Sequence, residues 1–395
     1  MTSSVLITDS YFDGVRFHSE GPYCIRIQEG RILDIKMGDS PDADSSLRVP
    51  FVMPGLVEAH CHLFLDGAEL NFNVRKEYLK ASREEMLAVA RRSVEANIAS
   101  GITLVRDAGD IYGINDEIKS ELSNTTTEVT PELRSPGRAI RKAGRYGSFM
   151  AVEATDHESI VRIVKDLATT ADDIKILLTG IIDFEKGQMK GGTQFDLDAT
   201  HLLVQTSKDL GLLTYAHCSG PDGLTAAVTA GIDSIEHGFF MEEEILRRMA
   251  DQGTAWVPTF SPVYFQYERP DLAGWNEQTV EGLLSILDNH FKFVKMADEI
   301  GVPIIAGSDA GSYGVPHGKG LIDELFFLLK AGISIDHVLA ATTSVPRRLW
   351  GCESANIAPG NAVNLIALSG SPAEDTSHLR NVQLVMRGER QRCYW

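Results

Sequence analysis

The chain is short of basic side chains: 37 Lys and Arg stand against 55 Asp and Glu, a formal net charge of −18 at pH 7. Such an excess argues against a nucleic-acid-binding surface and against attraction to anionic lipid. No apolar run reaches the ~18 residues that a membrane-spanning helix requires. The opening residues, MTSSVLITDSYFDG, lack the basic start and apolar centre of a signal peptide. Cysteine is scarce as well. Cys24, Cys61, Cys218, Cys352 and Cys393 are dispersed, odd in number and without CxxC spacing. That usage fits reduced thiols in the cytoplasm better than a disulfide framework. Short-period repeats and low-complexity tracts are also missing.

What is present is an ordinary globular composition, 43% hydrophobic and 23% charged. The length of 395 residues suits two or three domains, or one large barrel with an accessory module. Residues 1–53 read as short strands and turns, as in PYCIRIQEG and RILDIKMGD. Residues 54–352 alternate strand with helix. Ser82 followed by Glu85 makes a capping-box pattern, which predicts a helix from there to the stop signal at Gly101. ITLVRDAGD, DIKILLTG, LLTYAHC, SIEHG, TAWVPTF and VPIIAGSDAG read as parallel strands buried on both faces. Eight plausible alternations predict an α/β fold, a (β/α)8 TIM barrel and not a doubly wound sheet. Strands return beyond Gly351, in ANIAPGNAVNLIALSG and VQLVMRGER. Residues 1–53 and 353–395 are therefore expected to meet as one composite β-sandwich module beside the barrel.

The chemistry starts in VMPGLVEAHCHLFLDG, residues 52–67, where His60 and His62 stand two apart after a short apolar run. On an extended chain, side chains at i and i+2 point to one side, so two imidazoles can grip one metal ion. In a barrel of parallel strands the site lies at the C-terminal strand ends. Reading only those ends adds Lys175 in the fourth strand, His217 closing the fifth, His237 closing the sixth and Asp309 after the eighth. Each has a plain structural reading: His217 and His237 as strand-end groups satisfied by backbone, Asp309 as a turn cap. Lys175 is the exception, because a lysine inside the apolar run IKILL is costly unless modified, paired or catalytic. Taken together, the imidazoles and carboxylate suit zinc or a similar divalent ion with a position left open for water.

These residues, with the phrases VMPGLVEAHCHL, SIEHGFF and GSDAG, resemble the amidohydrolase superfamily in its subtype with two bridged metals. The resemblance implies that His60, His62 and Asp309 bind one ion and His217 and His237 the other. It implies that Lys175 is N-carboxylated, its carbamate bridging two divalent ions, with zinc the expected metal. Asp309 would then be ligand and catalytic proton acceptor at once, using a water whose pKa the metals lower. The implied activity is hydrolysis of a C–N amide bond, by a cytoplasmic homo-oligomer acting on a small-molecule amide.

Further phrases, among them ASGITLVRDAG and PHGKGLIDELFFLLKAG, resemble the branch with Xaa-Pro dipeptidases, arginine or lysine carboxypeptidases and imidazolonepropionase. A dipeptide or N-acyl amino acid is the first substrate implied; a cyclic amide, aryl amide or ureide is the alternative, and a non-catalytic binding barrel a remote one. That branch tends to carry Gly-Gly-His-Gly after the third strand, where this chain has Gly144-Arg145-Tyr146-Gly147. Tyr146 is expected to replace the histidine as hydrogen-bond donor, with Arg145 or Arg141 clamping a substrate carboxylate; a solvated basic loop is the competing reading. His317 in VPHGKG either lines the pocket or starts a helix. Residues 181–196, rich in glycine, read as a loop over the site. The aromatic insertion SPVYFQYERPDLAGWNEQ walls an apolar pocket or packs a subunit contact.

Overall fold

The computed structural model describes residues 3–39 and 46–394; residues 1, 2, 40–45 and 395 of the expected β module lie outside them. From Leu56 onward, parallel strands alternate with helices. Leu56–Cys61 pairs with Ile102–Asp107, which pairs with Glu132–Arg134. The same segment continues into Ala139–Lys142, beside Asp173–Leu177. Leu213–Cys218, Ser234–His237 and Ala255–Val257 then follow in parallel. A parallel bridge joins Trp256 to Ile304, and Ala59 N donates to Ala306 O at 3.1 Å. Backbone pairing thus runs from the last strands back to the first, an arrangement of the TIM-barrel type.

The helices form where their sequences dictate. Ser82 Oγ accepts from Glu85 N while Glu85 Oε2 accepts from Ser82 N, and the helix Arg83–Ala99 follows. Met86, Leu87 and Ala90 on its inner face are buried against the strand layer. The insertion after Ala255–Val257 is helical, Ser261–Glu268 and Pro270–Ala273. Its start is capped from a distance: the buried Glu324 carboxylate accepts from Phe260 N, Ser261 N and Ser261 Oγ at 2.7, 3.1 and 2.7 Å. A cap borrowed from another helix leaves no local signal in the sequence of the insertion.

Both ends of the chain enter one sheet. Ser46–Pro54 lies parallel to Ser3–Phe12 on one side and antiparallel to Asn364–Leu368 on the other. Leu6, Ile25, Val52, Leu365 and Leu384 share a separate apolar core there. Gly55 turns the chain from this sheet into Leu56–Cys61. A Cβ at Gly55 would stand 2.3 Å from Thr103 Oγ1 and 2.5 Å from Asn364 Oδ1, so only glycine passes.

Candidate metal centre

The four histidines gather at one end of the parallel strands. Ring centroids are 5.8 Å apart for His62 and His60, 5.0 Å for His60 and His237, and 4.5 Å for His237 and His217. Lys175 Nζ lies 3.1 Å from His60 Nε2. Asp309 Oδ1 lies 3.4 Å from His62 Nε2 and 3.7 Å from His60 Nε2. His60, His62 and Asp309 each offer a ligand atom within 4.8 Å of the other two.

Backbone geometry explains how neighbouring residues share this site. Three non-glycine residues at successive strand ends have positive φ: His237 at 69°, Thr259 at 50° and Asp309 at 56°. A regular strand sends adjacent side chains to opposite faces. The left-handed conformation at His237 breaks that alternation, so Glu236 and His237 both face inward. Such conformations cost of order 1–3 kcal/mol each and persist where the surroundings over-determine them.

Three of the four imidazoles, those of His60, His217 and His237, are set by a second partner. His60 Nδ1 donates to Glu236 Oε2 at 2.6 Å, which leaves Nε2 bare towards Lys175 and Asp309. His217 Nε2 donates to the Gly180 carbonyl at 3.0 Å, leaving Nδ1 bare. His237 Nδ1 pairs with Thr259 Oγ1 at 2.7 Å. Partners of this kind fix tautomer and orientation at metal sites. Replacing Thr259 by the isosteric valine is expected to weaken metal binding about 10–100-fold by chelator competition, with a smaller loss of about 1–3 kcal/mol in the metal-free protein, where His237 Nδ1 is left without its partner.

The donor set fits a metal. His237 Nε2 and Asp309 Oδ1 are buried in the cluster without a hydrogen-bond partner, a costly state unless a ligand takes them. Burial holds His60 and His237 well below the usual histidine range and brings His217 to about 4, so all three are neutral, as metal ligation demands. Burial alone would raise Asp309, but the neighbouring His62, His60 and Lys175 side chains hold it at about 2. Burial brings Lys175 down to about 8.

Beneath this layer lies a set of charges that motif reading missed. Glu236 also accepts from Arg106 Nη2 and Ser234 Oγ, both at 2.8 Å, and Arg106 stacks 4.2 Å over the Tyr215 ring. Glu58 accepts from His60 N at 3.0 Å and Ser308 Oγ at 2.5 Å, which ties the first strand to the loop that carries Asp309. Burial raises Glu236 and lifts Glu58 to about 7. Like Lys175, both glutamates are charges set inside apolar strands.

A cavity of about 220 Å³ opens on the cluster, with His217, His237 and Asp309 at one end. Tyr146 lines it, its ring 5.6 Å from His217, and burial pushes its phenol pKa up. Ile182, Phe184, Met189, Phe239, Pro262 and Val263 supply apolar walls. Arg141 and Arg145 are not among the lining residues. Arg141 pairs with Glu153 and with the Arg145 carbonyl, and Arg145 reaches the carbonyls of Gly191 and Gly192. His317 donates to the Leu65 carbonyl at 3.1 Å and is not among the lining residues either. Residues 181–196 form a loop with a short antiparallel pair, Ile182–Asp183 with Gln188–Met189. Gln194 pins its base, donating to Tyr146 O and Thr179 O at 3.3 and 3.1 Å.

A family model described as the amidohydrolase family matches residues 51–390. An uncharacterized protein of Mycobacterium tuberculosis is 27% identical over 90% of this chain and 89% of its own. Ochratoxinase of Aspergillus niger is 24% identical over 84% of this chain and 72% of its own. The crystal structure of a Xaa-Pro dipeptidase with methionine bound in its active site is 25% identical, with a TM-score of 0.85 over 100% of both chains.

Proposed function

The chain belongs to the amidohydrolase family and is a hydrolase acting on carbon–nitrogen bonds, and from that premise we propose that it cleaves the amide bond of a small, largely apolar molecule with two divalent metal ions. One observation carries the reading: Lys175 Nζ meets His60 Nε2 at 3.1 Å beside the unpartnered Asp309 Oδ1 and His237 Nε2. His60, His62 and Asp309 would hold one ion, His217 and His237 the other, with zinc the first choice. Lys175 would join them as the N-carboxylated form, which turns a buried cation into an anion between two dications. On this reading residues 54–352 form the (β/α)8 barrel, and residues 1–53 with 353–395 the β module.

Bound metals would supply Lewis acidity for the scissile carbonyl and lower the pKa of water. The chain's own residues do the rest. Asp309, held ionised, takes the proton of the attacking water and returns it to the leaving nitrogen. Tyr146 keeps its phenolic proton and can donate to the substrate carbonyl or to a group beside it. The apolar walls exclude bulk water and strengthen every electrostatic contact inside.

The cavity favours one substrate class over the first expectation. Among the described residues that line it, none is a lysine or an arginine. A dipeptide or N-acyl amino acid would bring a carboxylate that finds no side-chain cation there, at a desolvation cost that Tyr146 alone does not offset. An uncharged aryl or alkyl amide, or a ureide, meets walls of matching polarity. The volume admits about seven water-sized groups at ~30 Å³ each, enough for a ring and its amide.

Two measurements test these statements. Metal analysis should give about two equivalents per chain after reconstitution with zinc and bicarbonate; a protein that binds none sinks the hydrolytic reading. A panel of N-aryl amides, ureides, dipeptides and N-acyl amino acids should show the highest kcat/KM on uncharged members. In Tyr146→Phe, KM on those substrates should rise roughly tenfold, the value of one hydrogen bond of ~1.4 kcal/mol, with the fold intact.

A further inference from the structure

A second polar cavity lies at the opposite end of the strands, where the barrel meets the C-terminal hairpin. It measures about 180 Å³, and Arg347, Arg387 and Arg390 line it together with Glu132, Glu353 and Asn364. Arg347 reaches Thr103 at the start of Ile102–Asp107, and at the far end of that strand Asp107 accepts from Leu63 N, next to His62.

Arg347 is the unusual member. It is only 2% exposed, yet among the described residues no carboxylate lies within ion-pair distance of its guanidinium. Its hydrogen bond is to Thr103 Oγ1, at 3.2 Å, and its Nε is buried without a partner. Glu132 is taken by Arg387, and Glu353 faces Arg31 at 3.5 Å. Arg390 uses Nη1 on the Thr125 and Glu128 carbonyls, which neutralise no charge. Burial lowers the Arg347 pKa, Glu132 opposes this and Arg387 adds to it, but an arginine so placed stays a cation. A buried cation whose nearby carboxylates, Glu132 and Glu353, are engaged by other arginines is costly to a fold. The space beside it holds a small group: about six waters' worth at ~30 Å³ each.

We propose that this cavity binds a small oxyanion, a phosphate or a short carboxylate, on the unpaired guanidinium of Arg347 with Arg390 at its rim. Guanidinium forks match such oxygens in pairs of charge-assisted hydrogen bonds. Arg347 belongs to the helix Ser344–Leu349 and Arg390 to the strand Arg390–Cys393, so a bound anion clamps the end of the barrel to the terminal hairpin. The site is independent of the metal centre and of the proposed hydrolysis.

The test uses the full chain loaded with metal, titrated with inorganic phosphate and separately with succinate at constant ionic strength. The melting temperature of the parent and of Asp309→Asn should rise with one of the two, and which one identifies the oxyanion. In Arg347→Met the rise should vanish, while the anion-free melting temperature stays level or increases because an uncompensated charge has gone. In Arg390→Gln, which keeps the buried residue, the Kd should weaken by about tenfold, as for the loss of one charge-assisted contact. No rise in the parent with either anion overturns the proposal. So does an equal rise in Arg347→Met, which would place the anion elsewhere, or a marked drop in its anion-free melting temperature, which would make Arg347 a purely structural support.

Discussion

Lys175→Ala is expected to lose both bound metal and turnover, the latter by at least about three orders of magnitude, with partial recovery on adding acetate. Lys175 is buried, 5.3 Å over the Tyr215 ring and 3.1 Å from His60 Nε2. Burial nonetheless outweighs the ring and the nearby carboxylates and works against a bare ammonium. Alanine removes the side chain whose carbamate would bridge the ions and leaves a hole that a small carboxylic acid can fill. Metal content by mass spectrometry and activity against acetate concentration decide the matter; a variant that keeps both metals and the parental rate rules the carbamate out. The metal-free protein carries a second signature. The folded Lys175 pKa of about 8 lies below the usual lysine value. Between the two values the unfolded chain binds more protons, so stability rises with pH across that window.

Asp309→Asn should lower kcat roughly 10²–10⁴-fold, the usual weight of general acid–base catalysis, while sparing the fold. The choice of asparagine matters because Asp309 sits at φ 56°, where asparagine and aspartate are the best tolerated side chains after glycine. Its backbone N donates to His60 O at 2.7 Å, and that bond survives the substitution. Full activity in the variant would remove Asp309 from proton transfer. Because its pKa of about 2 lies below the unfolded value, its contribution to stability is complete above about pH 4 and fades as pH falls towards 2.

Much of this arrangement could be read from local pattern. The Ser82–Glu85 cap marked its helix, and the ends of apolar runs marked the residues that now stand around one point. Periodicity and caps are local properties, and strand ends converge by topology alone. What stayed hidden depends on partners far apart in sequence. Thr259 matters through His237, Glu324 through the start of Ser261–Glu268, and Ser308 through Glu58. The loop around Tyr146 shows the same limit. Tyr146 faces the cavity, whereas Arg141 and Arg145 are drawn aside by Glu153 and by the carbonyls of Gly191 and Gly192. A basic loop beside a site carries no record of which of its charges are already engaged.

The shared sheet of the two chain ends also sets an order of events during synthesis. Ser46–Pro54 can pair with Ser3–Phe12 early, but its other edge waits for Asn364–Leu368, made more than three hundred residues later. Until then that edge is a row of unpaired backbone groups open to other chains. Nascent or truncated forms that stop before Asn364 should therefore aggregate through this edge even when the barrel segment is whole. At this junction the chain depends on its last strands to protect its first.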